Sequence, residues 1–194
     1  MGMKQILVMM AAVVLVGCSK DTPEPSFVPE PVSPAEEKLI FEKAARQSLR
    51  VFYNLYPEGE LTEADLAKIT LLNLHGTKTT DALLKEVAKL QQLEQLWLEG
   101  TQITDEGLKE VAKLQNLIGL GLPPQITDEG LKEVAKLRNL TNLGFIDTKI
   151  TDEGVKEVAK LRNLTYLNLS GTQIADANIA KLKKALPNCE IEGP

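Results

Sequence analysis

The chain has almost nothing with which to do chemistry. Its 194 residues include one histidine, two cysteines and one tryptophan, so no His/Cys cluster with metal-ligand spacing occurs. A phosphate-cradling glycine loop and a nucleophile elbow are missing as well. The expectation is therefore no enzyme, no catalytic residue, no cofactor and no metal. Basic charge is not in excess either: a formal net charge of −5 leaves no positive stripe with which to displace counterions from nucleic acid. Aromatics make up only 4% of the chain, so aliphatic side chains must fill any interior. What is plentiful is material for a core, with 43% hydrophobic residues and 25% charged ones, a balance that argues against wholesale disorder.

Long apolar runs are scarce too. Lys4 gives a positive start and Ile6 to Val16 form an apolar stretch, too short for a spanning helix, which needs roughly 20 such residues. Length and flanks fit an export signal over residues 1–17. The stretch ends in Leu15-Val16-Gly17-Cys18, which resembles the lipobox of bacterial lipoproteins. That resemblance implies acylation (palmitate or a similar chain) of Cys18 as the first mature residue. Several acyl chains anchor stably where one does not, so the implied location is the cell membrane or outer membrane, with the domain facing periplasm or exterior. Ser19, in place of Asp, implies outer-membrane sorting.

Residues 18–33 read as a tether and 34–60 as a helical cap. Between Asp21 and Pro34 stand five prolines, at 23, 25, 29, 31 and 34, which withhold donors and fix φ, so neither helix nor inner strand forms there. Ser33-Pro34-Ala35-Glu36 is a helix start, with a capping box and a proline where its missing N–H costs nothing. Phe41, Ala45, Leu49 and Phe52 follow at helical spacing, and Pro57-Glu58-Gly59 ends the pattern.

Residues 61–194 are repetitive. Thr104-Asp105-Glu106-Gly107-Leu108-Lys109-Glu110-Val111-Ala112-Lys113-Leu114 returns letter for letter from Thr127, with looser copies from Thr80, Thr151 and Ala175. The start-to-start spacings are 24, 23, 24 and 24 residues, a period that marks a solenoid. Each unit changes period midway. Leu93-x-x-Leu96-x-Leu98 alternates as a short strand does; Thr104 then caps a helix whose first turn carries acids and whose Leu108, Val111 and Leu114 share one face. The recurrent Asp-Glu-Gly invites a calcium reading, but its place at helix starts already accounts for it.

The frame Leu93/Leu96/Leu98/Thr101/Ile103 resembles the leucine-rich repeat consensus, with Thr where many families place Asn or Cys. Ile69/Leu72/Leu74/Thr77, Leu140/Leu143/Phe145/Thr148/Ile150 and Leu164/Leu167/Leu169/Thr172/Ile174 fit the same frame. The resemblance implies an α/β fold: a short right-handed horseshoe of the helical, cysteine-containing-like subtype, with a parallel sheet on the concave face, generally used for protein binding. Two units depart from the pattern. Leu117-x-x-Leu120-x-Leu122-Pro123-Pro124-Gln125-Ile126 is one residue short and lacks its Thr, which should distort the descending loop. In the last unit Cys189 is read at the second-leucine position, as a buried small apolar residue.

In this frame the residues between and beside the leucines face the concave side. The expected partner-binding set is Leu71, Trp97, Glu99, Asn142, Ile146, Tyr166 and Asn168. Trp and Tyr weigh most, as the types most enriched at interface hot spots; the alternative is that Trp97 merely leans over Leu71 and excludes water. The expected partner is an unidentified protein or peptide, with no nucleic acid, a membrane reached only through the anchor, and an undetermined oligomeric state. Six short strands at about 4.8 Å spacing make a face too small for a standard interface of roughly 800 Å² per partner, so a peptide suits it better than a globular surface. A self-associating envelope component is the other class, since near-identical unit surfaces suit uniform packing. A ubiquitin-ligase-type substrate receptor rests on fold analogy alone.

Overall fold

The computed structural model describes residues 32–193. The signal segment, Cys18 and the tether up to residue 31 lie outside the described residues. Among the described residues no helix is long and apolar enough to cross a membrane.

Helix α1 (Pro34–Tyr53) begins with the capping box of Ser33 and Glu36. It ends at Asn54, a left-handed residue with φ 51° whose N–H returns to the Leu49 carbonyl. Ala44, Ala45 and Leu49 are buried against the first coil, but Phe52, expected on the same buried face, is 55% exposed. The face runs on past the surface available to cover it.

A short turn of helix, α2 (Glu63–Leu66), with its own Thr62/Asp65 capping box, leads into the coils. Strands and helices then alternate: β1 (Leu71–Asn73), α3 (Asp81–Val87), β2 (Gln95–Trp97), α4 (Asp105–Val111), β3 (Gly119–Gly121), α5 (Asp128–Val134), β4 (Asn142–Gly144), α6 (Asp152–Val158), β5 (Tyr166–Asn168), α7 (Asp176–Ala185) and β6 (Glu190–Glu192). The strands form one six-stranded sheet in chain order, every neighbouring pair parallel. Leu72, Leu96, Leu120, Leu143, Leu167 and Ile191 stand opposite one another across it. The first five are at most 1% exposed and form the spine of one continuous aliphatic core that takes in Leu83, Val111, Leu131 and Val155 from the helices.

Four of the six strands, β1, β2, β4 and β5, are closed by the same device. The hydroxyls of Thr77, Thr101, Thr148 and Thr172 donate to the carbonyls of Leu74, Leu98, Phe145 and Leu169, three residues back. A buried threonine thus satisfies itself locally, which is why it replaces Asn or Cys without penalty. A left-handed residue follows most strands, glycine at 76, 100 and 171 and Asp147 in the fourth unit.

The third unit, one residue short and without its Thr, has no left-handed residue in this loop either. Its chain goes from Leu122 through Pro123 and Pro124 to Gln125, whose side-chain amide donates to the carbonyls of Thr101 and Ile103. The side chain makes up for the missing backbone, so the distortion stays in the loop and β3 keeps its register on both sides.

The last unit corrects the sequence reading. Helix α7 is ten residues long where its predecessors have seven, so Leu186, read as the first leucine of a strand, is instead the C-cap of the helix. Ile191, not Cys189, pairs with Leu167, and Cys189 is half-buried rather than core. Partial desolvation, helped by Glu190, raises its thiol pKa, which keeps it protonated and inert.

The acidic helix starts join coil to coil. Asp81 accepts from the backbone N–H and hydroxyl of Thr104 at 2.8 and 2.6 Å; Asp105 does the same for Thr127 and Asp128 for Thr151. At the first rung no earlier coil exists, and Glu37 of α1 takes the place of the aspartate, accepting from the Thr80 hydroxyl. At the last rung Ala175 keeps only its N–H contact to Asp152. The carboxylates that invited a calcium reading are thus hydrogen-bond acceptors of the stack.

Candidate binding face

The sheet has one face against the helices and one turned away, and all seven expected residues lie on the latter or at its strand ends. Period-two alternation puts them there: in β2, Leu96 is buried while Gln95 and Trp97 are half-buried. The structure gathers five of them into two groups.

The first group surrounds a hollow of about 610 Å³ over the strand ends, lined by Asn73, His75, Trp97, Glu99, Leu122, Pro124, Ile146 and Asp147 among others. Trp97 does not lean over Leu71. Its ring lies over Gly119 on the opposite neighbour, where an added Cβ would sit 3.7 Å from Cη2 and 3.8 Å from Cζ2. The Glu99 carboxylate likewise occupies the space a side chain at Gly121 would need. Gly119, Gly121 and Pro123, expected as open face positions, are consequently buried. The glycines of β3 make the floor on which Trp97 and Glu99 rest. Ile146, 41% exposed, closes the far wall, and His75 Nδ1 stands 3.8 Å from Glu99 Oε2.

The second group is polar and at the other end. Asn168 donates to Tyr166 Oη at 3.3 Å and to Glu192 Oε2 at 2.7 Å, while its own carbonyl accepts from the Ser170 N–H. Hydrogen bonding to Glu192, partly opposed by Asn168, raises the Tyr166 phenol above its ordinary pKa. Leu71 and Asn142 line neither group: Leu71 is half-buried on β1 and Asn142 exposed on β4, its amide oxygen accepting from Thr141. His75, Asn73, Pro124 and Asp147 belong to the hollow but escaped the expected set. Their signal was faint in the sequence, since membership depends on which way Trp97 and Glu99 lean.

A stack of strand–helix coils that presents one sheet face and repeats its joints is an α/β solenoid, a class that offers an extended binding surface. The leucine-rich repeat family model matches residues 89–112 and 160–181. A solved leucine-rich repeat protein of Leptospira interrogans is similar with a TM-score of 0.52 and 29% identity, over 69% of this chain and 34% of that one. The chain thus spans about a third of that protein's length. Internalin C2 of Listeria monocytogenes is similar with a TM-score of 0.42 and 22% identity, over 80% and 84% of the two chains. No curated protein matches the sequence. The fold is thus an α/β leucine-rich repeat solenoid, one typically used as a non-enzymatic protein-interaction scaffold.

Proposed function

We propose that this protein is a lipid-anchored binding module of the bacterial envelope, of the helix-backed repeat subtype, that holds a short segment of another protein in the hollow beside Trp97. The observation that carries the reading is the seating of Trp97: a half-buried indole whose outer edge rests over Gly119, with Ile146 on the wall of the same hollow. An indole already packed against its own sheet has less freedom to lose when a partner covers it, which favours it as an aromatic anchor. The lipobox supports the anchor, and the prolines after it support a stalk.

The test is crosslinking capture from intact cells, comparing the wild type with Trp97→Ala and with Tyr166→Ala. Trp97→Ala should cut capture at least tenfold while the thermal midpoint moves little, whereas Tyr166→Ala, in the polar group, should change capture much less. Undiminished capture by Trp97→Ala removes the hollow from the account. The anchor has its own readout: Cys18→Ser should abolish incorporation of a fatty-acid label.

A further inference from the structure

The largest exposed apolar side chains of the described residues are not on the sheet. Val51, Phe52, Tyr53 and Tyr56 are 65%, 55%, 39% and 63% exposed and crowd the C-terminal end of α1 and the loop after it. Three of the chain's eight aromatic side chains, Phe52, Tyr53 and Tyr56, stand within five residues of each other here. They are held in place rather than left loose. Arg46 donates to the carbonyls of Pro57 and Gly59, folding the loop back along the helix, and the Leu55 N–H returns to Leu49. The Arg50 guanidinium sits 5.5 Å from the centre of the Tyr56 ring, and Tyr53 Oη bonds the Thr70 hydroxyl at 3.1 Å. From Lys43 to Pro57 the chain carries Lys43, Arg46 and Arg50 and no acid, in a protein that is otherwise acidic.

We infer that this aromatic end of α1 rests on the surface of a bilayer containing anionic lipid, as a second attachment beside the acyl anchor. Tyr and Phe next to Arg suit the headgroup boundary, where the ring is dehydrated while hydroxyl and guanidinium stay wet. The basic residues of the segment match anionic headgroups. Reach favours a membrane over a diffusing protein. From Cys18 to Val32 is 14 residues, about 43 Å at 3.1 Å per residue in a proline-rich chain. Helix α1, with 20 residues, spans about 30 Å, so an anchored chain can bring the far end of its helix to the same surface. A tether of that length holds the patch at roughly millimolar effective concentration, so a contact too weak to recruit a free protein is populated in an anchored one. This inference rests on the anchoring part of the proposed function, not on the hollow.

The experiment uses the full exported chain, with the mass of its Cys18 adduct measured first, in vesicles of phosphatidylethanolamine and phosphatidylglycerol whose acyl chains are brominated. In a Trp97→Phe background a single tryptophan replaces Phe52, or for comparison the exposed Lys132 of α5. Fluorescence from the Phe52→Trp chain should be quenched at least twofold more than from the Lys132→Trp chain, and replacing phosphatidylglycerol with phosphatidylcholine should shrink the difference. Equal quenching at the two positions overturns the inference while leaving the anchor intact. So does a change at position 52 that appears without lipid as protein concentration rises, which marks a second copy, or only with envelope extract, which marks a protein partner. A chain without an acyl adduct sinks the anchor instead; titrated with the same vesicles at millimolar lipid, it must still show the quenching difference for the patch to stand.

Discussion

Gly107, Gly130 and Gly154 occupy first turns of helices, where alanine would ordinarily be better by about 1 kcal/mol. Here the ordinary preference is reversed. A Cβ at Gly130 would approach Asp105 Oδ1 to 2.3 Å and methyl carbons of Ile126 and Leu108 to 2.9 Å. The carboxylate can move aside only by giving up its two bonds to Thr127, each worth about 1 kcal/mol, and crowding a packed core adds about 1–3 kcal/mol. Gly130→Ala should therefore destabilise by roughly 2–4 kcal/mol net of its helix gain, read as a lower urea midpoint. With Asp105→Ala already in place the carboxylate's share of that penalty should vanish while the crowding of Ile126 and Leu108 remains, so the double variant should cost clearly less than the sum. The sequence displayed the Thr-Asp-Glu-Gly block and its capping threonine, but not why glycine recurs. That reason lies in an aspartate one coil away and exists only once coils are stacked.

At the scale of the element, the strand and helix pattern was legible because its two periods are written in leucines: every expected inward leucine of the second to fifth units is buried. The ends were harder. Phe52 has helical spacing with Leu49 yet finds no cover, because spacing fixes a face, not how far the neighbouring surface extends; Leu186 resembles a strand leucine but ends α7 as its C-cap, which leaves Cys189 off the ladder. The two capping boxes give the elements before the first strand a pH dependence. Hydrogen bonds from the Ser33 backbone and hydroxyl lower the Glu36 pKa, and the Thr62 hydroxyl and backbone do the same for Asp65. A carboxylate depressed in the folded chain contributes its full stabilisation above its unfolded value and loses it as pH falls through the lower folded one. Amide exchange, corrected for intrinsic rate, should thus be unchanged from neutral pH to about 5 at residues 34–37 and 62–66 and rise below the ordinary carboxylate range. The effect should be local, since both groups are on the surface. Glu36→Gln should remove the Glu36 share of the pH dependence and leave that of Asp65.

For the whole molecule, helix contacts run from each coil to the next: α3 packs on α4, α4 on α5, α5 on α6 and α6 on α7. Architecture of this kind was the most legible property of the chain, because a repeat that returns letter for letter has to stack on itself. The candidate site was least legible, because the hollow depends on Trp97 and Glu99 both lying toward the two glycines of one irregular unit. The same neighbour-only logic separates two deletions of similar size. Removing residues 104–126 joins Ile103 to Thr127, the start of an identical block, so Asp81 meets Thr127 as it met Thr104, and Leu96 comes opposite Leu143. That chain should still unfold cooperatively, with an m value lower by roughly a seventh, in proportion to the surface lost. It should also lose partner capture, since the floor under Trp97 and Glu99 leaves with β3. Removing residues 32–60 instead deletes no coil but strips α1 from β1 and α3 and takes Glu37 from Thr80. A solenoid with an uncovered end exposes a flat aliphatic cross-section, so this second chain should lose its sharp urea transition and aggregate. If the capless chain unfolds as cooperatively as the intact one, α1 is an appendage and not the seal of the stack.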